Sequence, residues 1–318
     1  MKYRLGIDIG ATKIAFGLFN EDRVIVYHYK SSTNANSNPK EFENAIVQDI
    51  DVILNNNGLQ KDDIAGIAMG FPSYVDFDKG EVVFTSNMVN LHHFYARDVF
   101  QKHFPNTKIV VDNDTNLAAI AESKYGAGRG FKHMLYTALS TGVGSGFIIN
   151  NAIFRGSYGG AGESGHMIIT PKQGISCGCG NTGCFMGYTS GSMIVQHAKI
   201  AIQEGEKSVM ADLVAGDLDT LTAEHLNTAY QMGDKLAEKL LDQMGYYLGI
   251  YVYNMFIGLN FNCYVFGGGL VNFGDAIMDR IRDSFNSFNH QKDQEVYFKT
   301  AELKNDFGII GAAELLYE

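Results

Sequence analysis

A chain of 318 residues, 46% of them hydrophobic, is long enough for two domains of ordinary size with a core each, which argues against a disordered protein. The formal charge of −10, without a cluster of Lys and Arg, argues against binding to a nucleic-acid backbone. The N-terminus enters a strand at once, without an apolar signal segment, and the apolar run at 248–261 is shorter than the about 20 residues that cross a bilayer. We therefore expect a cytoplasmic protein with no nucleic-acid or membrane partner.

The chain opens with a predicted β-hairpin. Apolar residues alternate with glycine and Asp8, and a second apolar run, residues 14–19, follows the turn. Gly10 lets the backbone approach a ligand, while the Thr12 hydroxyl and the Lys13 ammonium can meet phosphate oxygens. Asp8 at the strand tip can hold a hydrated Mg²⁺. The P-loop pattern is absent and any hairpin favours glycine, so this turn alone does not separate phosphate binding from chain reversal.

The next elements are predicted scaffold. A strand at residues 23–30 precedes a helix that begins at an Asn-Pro-Lys-Glu capping sequence, residues 38–41, and ends at Asn57-Gly58. A buried strand covers residues 64–71, and the strand at 81–84 leads toward Asn87. An amide just past a strand end can bind sugar hydroxyls, because it both donates and accepts hydrogen bonds. A turn-forming role for Asn87 is an equal alternative.

A predicted strand-to-helix junction carries the densest run of acids and amides. The apolar run Ile109-Val110-Val111 is followed by Asp112-Asn113-Asp114-Thr115-Asn116 and then by a helical stretch, residues 117–122. The carboxyl ends of strands are where open α/β sheets bind their ligands. A solvated turn is the alternative, so this interpretation depends on the other stretches.

The plan of the opening hairpin is repeated in the middle of the chain. A strand at 133–139, a glycine turn at 140–146 with Thr141, Gly142 and Gly144, and a returning strand at 147–150 follow the same order. This predicts two similar α/β domains that face each other and clamp phosphates between their hairpins, although a repeat of two copies can also arise by chance.

The glycine-rich residues 126–130 are a candidate hinge and domain boundary. The closing helix at 307–317 can return to the first domain. We therefore expect one domain formed by residues 1–125 plus 302–318, and a second formed by residues 126–301.

Three cysteines, Cys177, Cys179 and Cys184, lie within eight positions in a glycine-rich segment. His166 precedes them with ten residues between, and Cys₃His is a ligand set of closed tetrahedral zinc. In a reducing cytosol the spacing indicates metal rather than a disulfide, and three free thiols in a loop are the alternative. With four protein ligands the Zn²⁺ would be structural, and would fix His166 and Glu163 by pinning a segment with little core.

The remainder is predicted to be largely helical. A strand is expected at 167–170, helices at 192–204 and 227–259, a strand at 262–266, a helix at 275–285 and a strand at 295–301. Gly267, Gly268 and Gly269 follow the strand that ends at residue 266. Three glycines at such a turn allow a flat base to lie against bare backbone, and a role in close chain contact alone is the alternative.

In order and spacing these motifs resemble the ROK family of sugar kinases and repressors, which has the actin/hexokinase-type ATPase fold. The resemblance covers essentially the whole chain and rests on residues 8–13, 112–116, 141–146, 163–166, 177–184 and 267–269. It implies two ribonuclease H-like α/β domains with a cleft between them. It also implies a homodimer or homotetramer that binds a small-molecule sugar, ATP, Mg²⁺ and a structural Zn²⁺.

The resemblance implies a role for each matching residue. Asp114 would be the catalytic base. The phosphates, metal ion and adenosine would be bound by Asp8, Gly10, Thr12 and Lys13, by Thr141, Gly142 and Gly144, and by Gly267, Gly268 and Gly269. The sugar would be held by Asn87, Asn113, Asp114, Glu163 and His166. The zinc ligands would be His166, Cys177, Cys179 and Cys184.

Two positions depart from the family pattern. A glutamate that binds a sugar hydroxyl usually stands two residues after the last zinc cysteine, and here that position is Met186. Ala11 stands where the phosphate turn usually has a second glycine. Ala11 together with Gly70-Phe71-Pro72 looks more like the allose-kinase branch, while residues 163–166 fit glucokinases and N-acetylmannosamine kinases alike. The resemblance therefore leaves the sugar open.

The sequence thus predicts an ATP- and Mg²⁺-dependent kinase that phosphorylates the 6-hydroxyl of a hexose or N-acetylhexosamine, with glucose, N-acetylmannosamine and allose as candidates. A catalytically weak sugar sensor of the same family is the alternative, because of Met186. A family repressor would carry a helix-turn-helix before the first strand, and here that strand begins within the first few residues. The zinc cluster argues against a chaperone or filament ATPase of the same fold.

Overall fold

The structure of the protein, a computed structural model, describes residues 2–72, 74–85, 88–172 and 174–317. In chain order its first elements are β1 (Tyr3–Ile9), β2 (Lys13–Phe19), β3 (Ile25–Ser32), α1 (Pro39–Asn56), β4 (Ile64–Phe71), β5 (Tyr74–Asp76), β6 (Glu81–Phe84), α2 (Ala96–Gln101), β7 (Lys108–Asn113) and α3 (Asp114–Tyr125). They are followed by β8 (Met134–Leu139), β9 (Val143–Ile149), β10 (Ala152–Phe154), α4 (Met186–Thr189), α5 (Gly191–Gln203), α6 (Val209–Leu213), α7 (Ala223–Gln231), α8 (Lys235–Leu259), β11 (Cys263–Gly267), α9 (Asp275–Phe288), β12 (Tyr297–Thr300) and α10 (Phe307–Glu314).

The chain divides into two compact units. The first unit contains Met1–Lys132, Gly146–Gly162 and Glu302–Glu318, and the second unit contains His133–Ser145 and Glu163–Ala301. The expected division placed residues 126–132 and 146–162 in the second domain, and by their contacts they lie in the first unit. Among the described residues, no helix combines the length and the apolar character that crossing a bilayer requires.

The first unit is built on a five-stranded sheet with the order β3-β2-β1-β4-β7. β1 is antiparallel to β2 and parallel to β4, and β4 is parallel to β7. Asp8 on β1 lies opposite Gly70 on β4, and Gly70 lies opposite Asp112 on β7. The carboxyl ends of the parallel strands β1, β4 and β7 therefore meet at one edge of the sheet. Asp8 and Asp112 both lie at this edge.

Two helices cover this sheet for reasons that are visible in their residues. The predicted capping sequence of α1 is confirmed: the Asn38 side chain accepts hydrogen bonds from the N–H groups of Lys40 and Glu41, and the Glu41 carboxylate accepts one from the Asn38 N–H. α10 lies directly on β1, where a Cβ at Gly6 would be 2.2 Å from the Ile309 carbonyl oxygen. Only glycine allows this approach.

In the second unit the predicted helix over residues 227–259 is interrupted. α7 ends at Gln231, Gly233 adopts a φ of +81°, and the Asp234 side chain caps the start of α8 by accepting the Ala237 N–H. The single-helix expectation was therefore wrong, because a glycine in the left-handed region ends one helix and the following aspartate begins the next.

A second five-stranded sheet has the order β10-β9-β8-β11-β12, in which β11 is parallel to both β8 and β12. α8 packs closely on α9, since a Cβ at Gly249 would lie 2.3 Å from the Ser284 side chain. The strand expected at residues 167–170 does not form: Ile168 makes only an isolated antiparallel bridge with Cys184. The sequence between Glu163 and α4 is instead organised by tight turns.

A buried carboxylate fastens three segments of the first unit together. The Glu122 side chain on α3 accepts hydrogen bonds from the N–H groups of Ala127 (2.8 Å), Glu302 (3.2 Å) and Leu303 (2.7 Å). Glu122 is completely buried, and a Cβ at Gly126 would lie 2.0 Å from its Oε2. The three N–H donors replace the water that the carboxylate has lost.

We expect Glu122→Gln to lower the free energy of unfolding by about 3 kcal/mol, because an amide offers one acceptor oxygen to three donors and buries an NH₂ group without an acceptor. The measurement is urea denaturation followed by circular dichroism. The matched control is Glu302→Gln, which removes a half-exposed carboxylate that pairs with Arg129 at 2.9 Å and should cost less than about 1 kcal/mol. Equal losses in the two variants would contradict the role given to Glu122.

Candidate active site

The end of β7 carries a buried carboxylate, Asp112, whose two oxygens are fully used. Arg155 donates to Oδ2 from Nε (2.9 Å) and Nη2 (2.7 Å), and Oδ1 accepts the Asn116 Nδ2–H (2.9 Å) and the Asn113 N–H (2.8 Å). The guanidinium of Arg155 also lies 3.7 Å from the centroid of the Phe77 ring. Burial raises the pKa of Asp112, and the Arg155 charge opposes the shift. This network fixes the point where the strand ends and the helix begins.

Asp114 lies at the strand-to-helix junction, as the sequence predicted, and is the first residue of α3, three residues before the predicted helical stretch. The Asn113 Oδ1 caps the helix by accepting the N–H groups of Thr115 (2.9 Å) and Asn116 (3.1 Å). The half-buried Asp114 carboxylate therefore lies at the positive end of the helix dipole, where its Oδ1 accepts the Thr115 hydroxyl at 3.2 Å. Because the cap occupies the oxygen of Asn113, a sugar contact by this residue would come from its Nδ2; that role stays a prediction.

The opening turn has the features expected of a phosphate site. The Gly10 N–H donates to the Lys13 carbonyl (2.9 Å), and the Thr33 hydroxyl donates to the Gly10 carbonyl (2.7 Å), which closes and braces the turn. The side chains of Thr12 and Lys13 are exposed. A rigid backbone with an exposed hydroxyl and an exposed ammonium is suited to phosphate oxygens.

Asp8 stands beside this turn in a confined position. A Cβ at Gly308, in the first turn of α10, would lie 2.3 Å from the Asp8 Cγ. Burial raises the pKa of Asp8 to about 6, and Lys13 opposes the shift. A carboxylate held at a sheet edge, beside groups that are suited to phosphate oxygens, has the chemistry of a ligand to hydrated Mg²⁺.

The second glycine turn is shorter than predicted. It consists of residues 140–142, and β9 already begins at Val143, so Gly144 lies within the strand. Gly146 is needed for close contact and not for the turn: a Cβ there would lie 2.4 Å from the Ala119 Cβ. The start of α5 supports the turn, since the Gly191 N–H donates to the Ser140 carbonyl (2.7 Å) and the Ser192 hydroxyl to the Thr141 carbonyl (2.7 Å).

The three glycine positions at the end of β11 differ in what surrounds them. Cβ atoms at Gly267 and Gly268 would lie 2.2 Å from the Tyr136 hydroxyl and 2.3 Å from the Leu139 carbonyl oxygen. Gly269 differs, because no described atom lies within 4 Å of the position of its Cβ. Close chain contact therefore accounts for the first two, whereas Gly269 leaves bare backbone of the kind that a flat base can cover.

The four predicted zinc ligands come together in the second unit. The ligand atoms of His166, Cys177, Cys179 and Cys184 all lie within 4.8 Å of one another. Two edges of the cluster, from the Cys177 Sγ to the His166 Nδ1 and from the Cys179 Sγ to the Cys184 Sγ, are both 3.6 Å. Tetrahedral Zn²⁺ with bonds of about 2.0–2.3 Å requires edges of about 3.5–3.8 Å. The residues therefore fit zinc.

The electrostatics of the cysteines also favour a cation. Burial and the neighbouring thiols raise the pKa of Cys184, whereas a hydrogen bond from the Asn181 backbone lowers the pKa of Cys179. Adjacent thiolates repel each other, and a Zn²⁺ ion bound between them would remove that repulsion.

Glu163 directly precedes a single 3₁₀ turn, Ser164–His166, and His166 is the last residue of that turn. Glu163 and His166 are exposed, and Ser164 and Gly165 are buried. The turn rests on β9, where a Cβ at Gly165 would lie 2.3 Å from the Val143 carbonyl oxygen. Desolvation raises the pKa of Glu163, and His166 opposes the shift. A hydrogen-bonding carboxylate and an imidazole are thereby presented side by side.

Met186, at the start of α4, lies between this turn and the second glycine turn. Its Cβ is 3.4 Å from the position of a Cβ on Gly165, and its Cε is 3.9 Å from that of a Cβ on Gly142. An apolar thioether thus occupies a place between two polar turns. Asn87, the remaining predicted sugar ligand, lies outside the described residues.

Arg155 is the residue of this region that sequence reasoning missed. The burial of Asp112 follows from the apolar run before it, and a buried carboxylate requires a partner. Nothing in the sequence around Arg155 indicates that it is the partner, because the pair is separated by 43 positions and depends on how β10 folds back.

Comparison with known proteins identifies the fold and the family of the chain. The fold, two α/β units, is that of the two-domain actin/hexokinase-type ATPases, as in the crystal structure of a ROK family glucokinase from Streptomyces griseus in complex with glucose and AMPPNP (TM-score 0.81, 29% identity, 98% of each chain covered). The family model of the ROK family matches residues 4–318, so the chain belongs to the ROK family.

Two relatives show the range of this family. The chain is 31% identical to a glucokinase of Halalkalibacterium halodurans over 316 residues, which covers 99% of this chain and 95% of the relative. It is 27% identical to the xylose repressor of Bacillus spizizenii over 285 residues, which covers 90% of this chain and 69% of that protein. The family thus includes both enzymes and regulators.

We expect the purified protein to contain one zinc ion per chain, and Cys179→Ala to lose it, because three ligands of a structural site do not hold zinc against a chelator. The measurement is elemental analysis after dialysis against a mild chelator. The matched control is Cys263→Ala, which removes the buried fourth cysteine, outside the cluster, and should keep the metal. Zinc retained in both variants, or absent from the wild type, would contradict the assignment.

Proposed function

We propose that the protein is an ATP-dependent kinase that transfers the γ-phosphate to the 6-hydroxyl of a hexose or N-acetylhexosamine. The observation that carries this proposal is the position of Asp114, at the first residue of a helix whose start is fixed by the buried Asp112 network. Membership of the ROK family and similarity to a glucokinase crystallised with glucose support it. A thiolate zinc cluster and the use of ATP suit the cytoplasm.

Asp114 is proposed to accept the proton of the sugar hydroxyl. Phosphoryl transfer passes through a loose transition state in which the proton leaves late, so the orientation of the base matters more than its basicity. The capped start of α3 supplies that orientation. The sugar would be held by Asn113, Glu163 and His166, together with Asn87. With zinc on the His166 Nδ1, the Nε2–H of this imidazole would remain to donate to a sugar oxygen.

The nucleotide is proposed to contact both glycine turns. Gly10, Thr12 and Lys13 would bind phosphate oxygens in the first, and Thr141, Gly142 and Gly144 in the second, with Gly267, Gly268 and Gly269 against the adenosine. Asp8 would hold a hydrated Mg²⁺, which supplies charge neutralisation of the phosphates. The contribution of the protein is then positioning and electrostatic stabilisation, with no covalent step.

The experiment that tests this function is a coupled ADP-release assay on zinc-replete protein with glucose, allose, mannose and N-acetylmannosamine. We expect sugar-dependent ADP release with at least one of them. Asp114→Asn should reduce turnover by at least about 10²-fold, the contribution of a positioned base, while sugar binding stays measurable by calorimetry. Thr115→Ala, which removes the neighbouring hydroxyl and keeps the carboxylate, is the control. Turnover retained in Asp114→Asn would refute the assigned base.

A sugar-binding sensor with little catalytic activity is the second candidate. Met186 favours it, since an apolar side chain lies between the two turns where a sugar-binding carboxylate would stand in the family. The similarity to a xylose repressor shows that the family contains proteins that are not kinases.

Met186→Glu separates the two candidates. For a kinase matched to its own sugar, we expect kcat/KM for the best sugar to rise by less than about threefold, because the native site already satisfies that sugar. Met186→Leu, which keeps the apolar volume, is the control and should change little. A gain of about 100-fold or more in sugar affinity with the glutamate, and none with the leucine, would favour the sensor. The measurement is calorimetry together with steady-state kinetics.

A further inference from the structure

A cluster of four hydroxyl side chains lies inside the second unit, beneath the Glu163–His166 turn. The Ser145 Oγ is 2.7 Å from the Ser164 Oγ, 2.8 Å from the Tyr251 hydroxyl oxygen and 3.3 Å from the Thr137 Oγ1. All four residues are buried. A serine hydroxyl has one donor and two acceptor sites, so these three contacts use its whole capacity. We call these four residues the hydroxyl cluster.

The hydroxyl cluster reassigns Ser145, which the sequence placed in the second phosphate loop. Its side chain points into the core from β9, and its contacts leave no capacity for a phosphate oxygen. The same strand follows the second glycine turn directly. Ser145 therefore links the backbone that leaves this turn to Ser164, the immediate neighbour of Glu163.

Tyr251 on α8 joins the hydroxyl cluster to the zinc segment. Its ring stacks on Phe185, with centroids 4.7 Å apart and an interplanar angle of 28°. Phe185 directly follows the zinc ligand Cys184, and its N–H donates to the Met167 carbonyl at 2.8 Å, one residue beyond His166. One side chain thus supports the last zinc ligand through its ring and the Glu163–His166 turn through its hydroxyl.

The turn is attached to the rest of the unit through its buried residues and through the Phe185 N–H, which donates to the carbonyl of Met167, the next residue. Ser164 and Gly165 are its buried residues, and Gly165 lies against the Val143 carbonyl. The hydrogen bond between Ser164 and Ser145 is therefore one of the restraints on the direction in which Glu163 is presented. In a low-dielectric interior such linked hydrogen bonds strengthen one another, and removing one hydroxyl leaves its partners buried without full hydrogen bonding.

We propose that the hydroxyl cluster positions the sugar site, with Tyr251 and Ser145 as positioning residues that hold the Glu163–His166 turn in its ligand-binding orientation. This inference rests on the proposed function, in which Glu163 and His166 bind the sugar. Neither positioning residue contacts the sugar. The second glycine turn is also braced by the start of α5, so we expect loss of the hydroxyl cluster to affect sugar binding much more than nucleotide binding.

The same unit supplies a matched control, Tyr264 on β11. Like Tyr251 it is 1% exposed and stacks on a phenylalanine, with its ring centroid 5.9 Å from that of Phe298. Its hydroxyl has no hydrogen-bond partner among the described residues. Tyr264→Phe therefore removes a buried tyrosine hydroxyl without breaking a contact, whereas Tyr251→Phe removes one that is bonded.

The experiment is steady-state kinetics of zinc-loaded wild type, Tyr251→Phe, Ser145→Ala, the double variant and Tyr264→Phe. Tyr251→Phe and Ser145→Ala should each raise the KM for the sugar about tenfold, while kcat and the KM for ATP stay within about twofold. The double variant should show little more than the larger single effect, because both substitutions break one connected set of hydrogen bonds. Tyr264→Phe should match the wild type.

Three outcomes overturn the inference. If the wild type is active and the Tyr251→Phe and Tyr264→Phe variants have the same KM for the sugar, the hydroxyl cluster has no positioning role. The proposed function would still hold. If the KM for the sugar and the KM for ATP increase equally and zinc is lost, the hydroxyl cluster only stabilises the fold of the second unit. A wild type that neither turns over nor binds any sugar removes the proposed function, and the inference with it.

Discussion

The ion pair between Asp112 and Arg155 is the contact on which one edge of the first unit's sheet depends, the edge where we propose that the sugar binds. It joins the end of β7 to the segment after β10, and the second oxygen of Asp112 joins both to the first turn of α3 through Asn116. A buried pair of this kind adds little net stability, but removing one partner costs about 3–5 kcal/mol because a charge is left alone. We propose that its value is geometric, since a catalytic base at Asp114 would have to be held within about 0.5 Å of its working position.

In the second unit, different contacts position Glu163 and His166. The residues that present Glu163 and His166 form turns instead of the predicted strand, so the sheet does not fix them directly. The proposed zinc ligands extend from His166 to Cys184, and Phe185, the residue after Cys184, stacks on Tyr251. Ligand-binding residues on loops are useful only when a rigid scaffold positions them, and here α8 and β9 supply that scaffold.

The sequence allowed prediction wherever the signal was local. The opening hairpin, the capping sequence at Asn38, the junction before Asp114 and the Cys₃His set depend on residues close together in the chain, and the structure confirms each arrangement. The roles of these residues in catalysis stay predictions. Local pattern also explains the errors: the apolar spacing on either side of Gly233 is helical, but the backbone conformation of that glycine and the Asp234 cap separate α7 from α8.

What could not be predicted depends on contacts between distant segments. Arg155 and Tyr251 occur in sequences that resemble ordinary strand and helix, and their roles arise from partners 43 and 106 positions away. Gly144 and Gly146 look like turn residues, but a close approach to α3 explains Gly146, and Gly144 lies in β9. The sequence shows that a residue is small or charged, but only the fold shows which residues it contacts.

The most direct test of the account is the distance from the Asp114 carboxylate to the acceptor hydroxyl, measured in a crystal structure with the preferred sugar and a non-hydrolysable ATP analogue. The account predicts that one carboxylate oxygen lies within hydrogen-bond reach of that hydroxyl, about 2.6–3.2 Å. A sugar bound with its acceptor hydroxyl more than about 5 Å from Asp114, beside another proton acceptor, would contradict it.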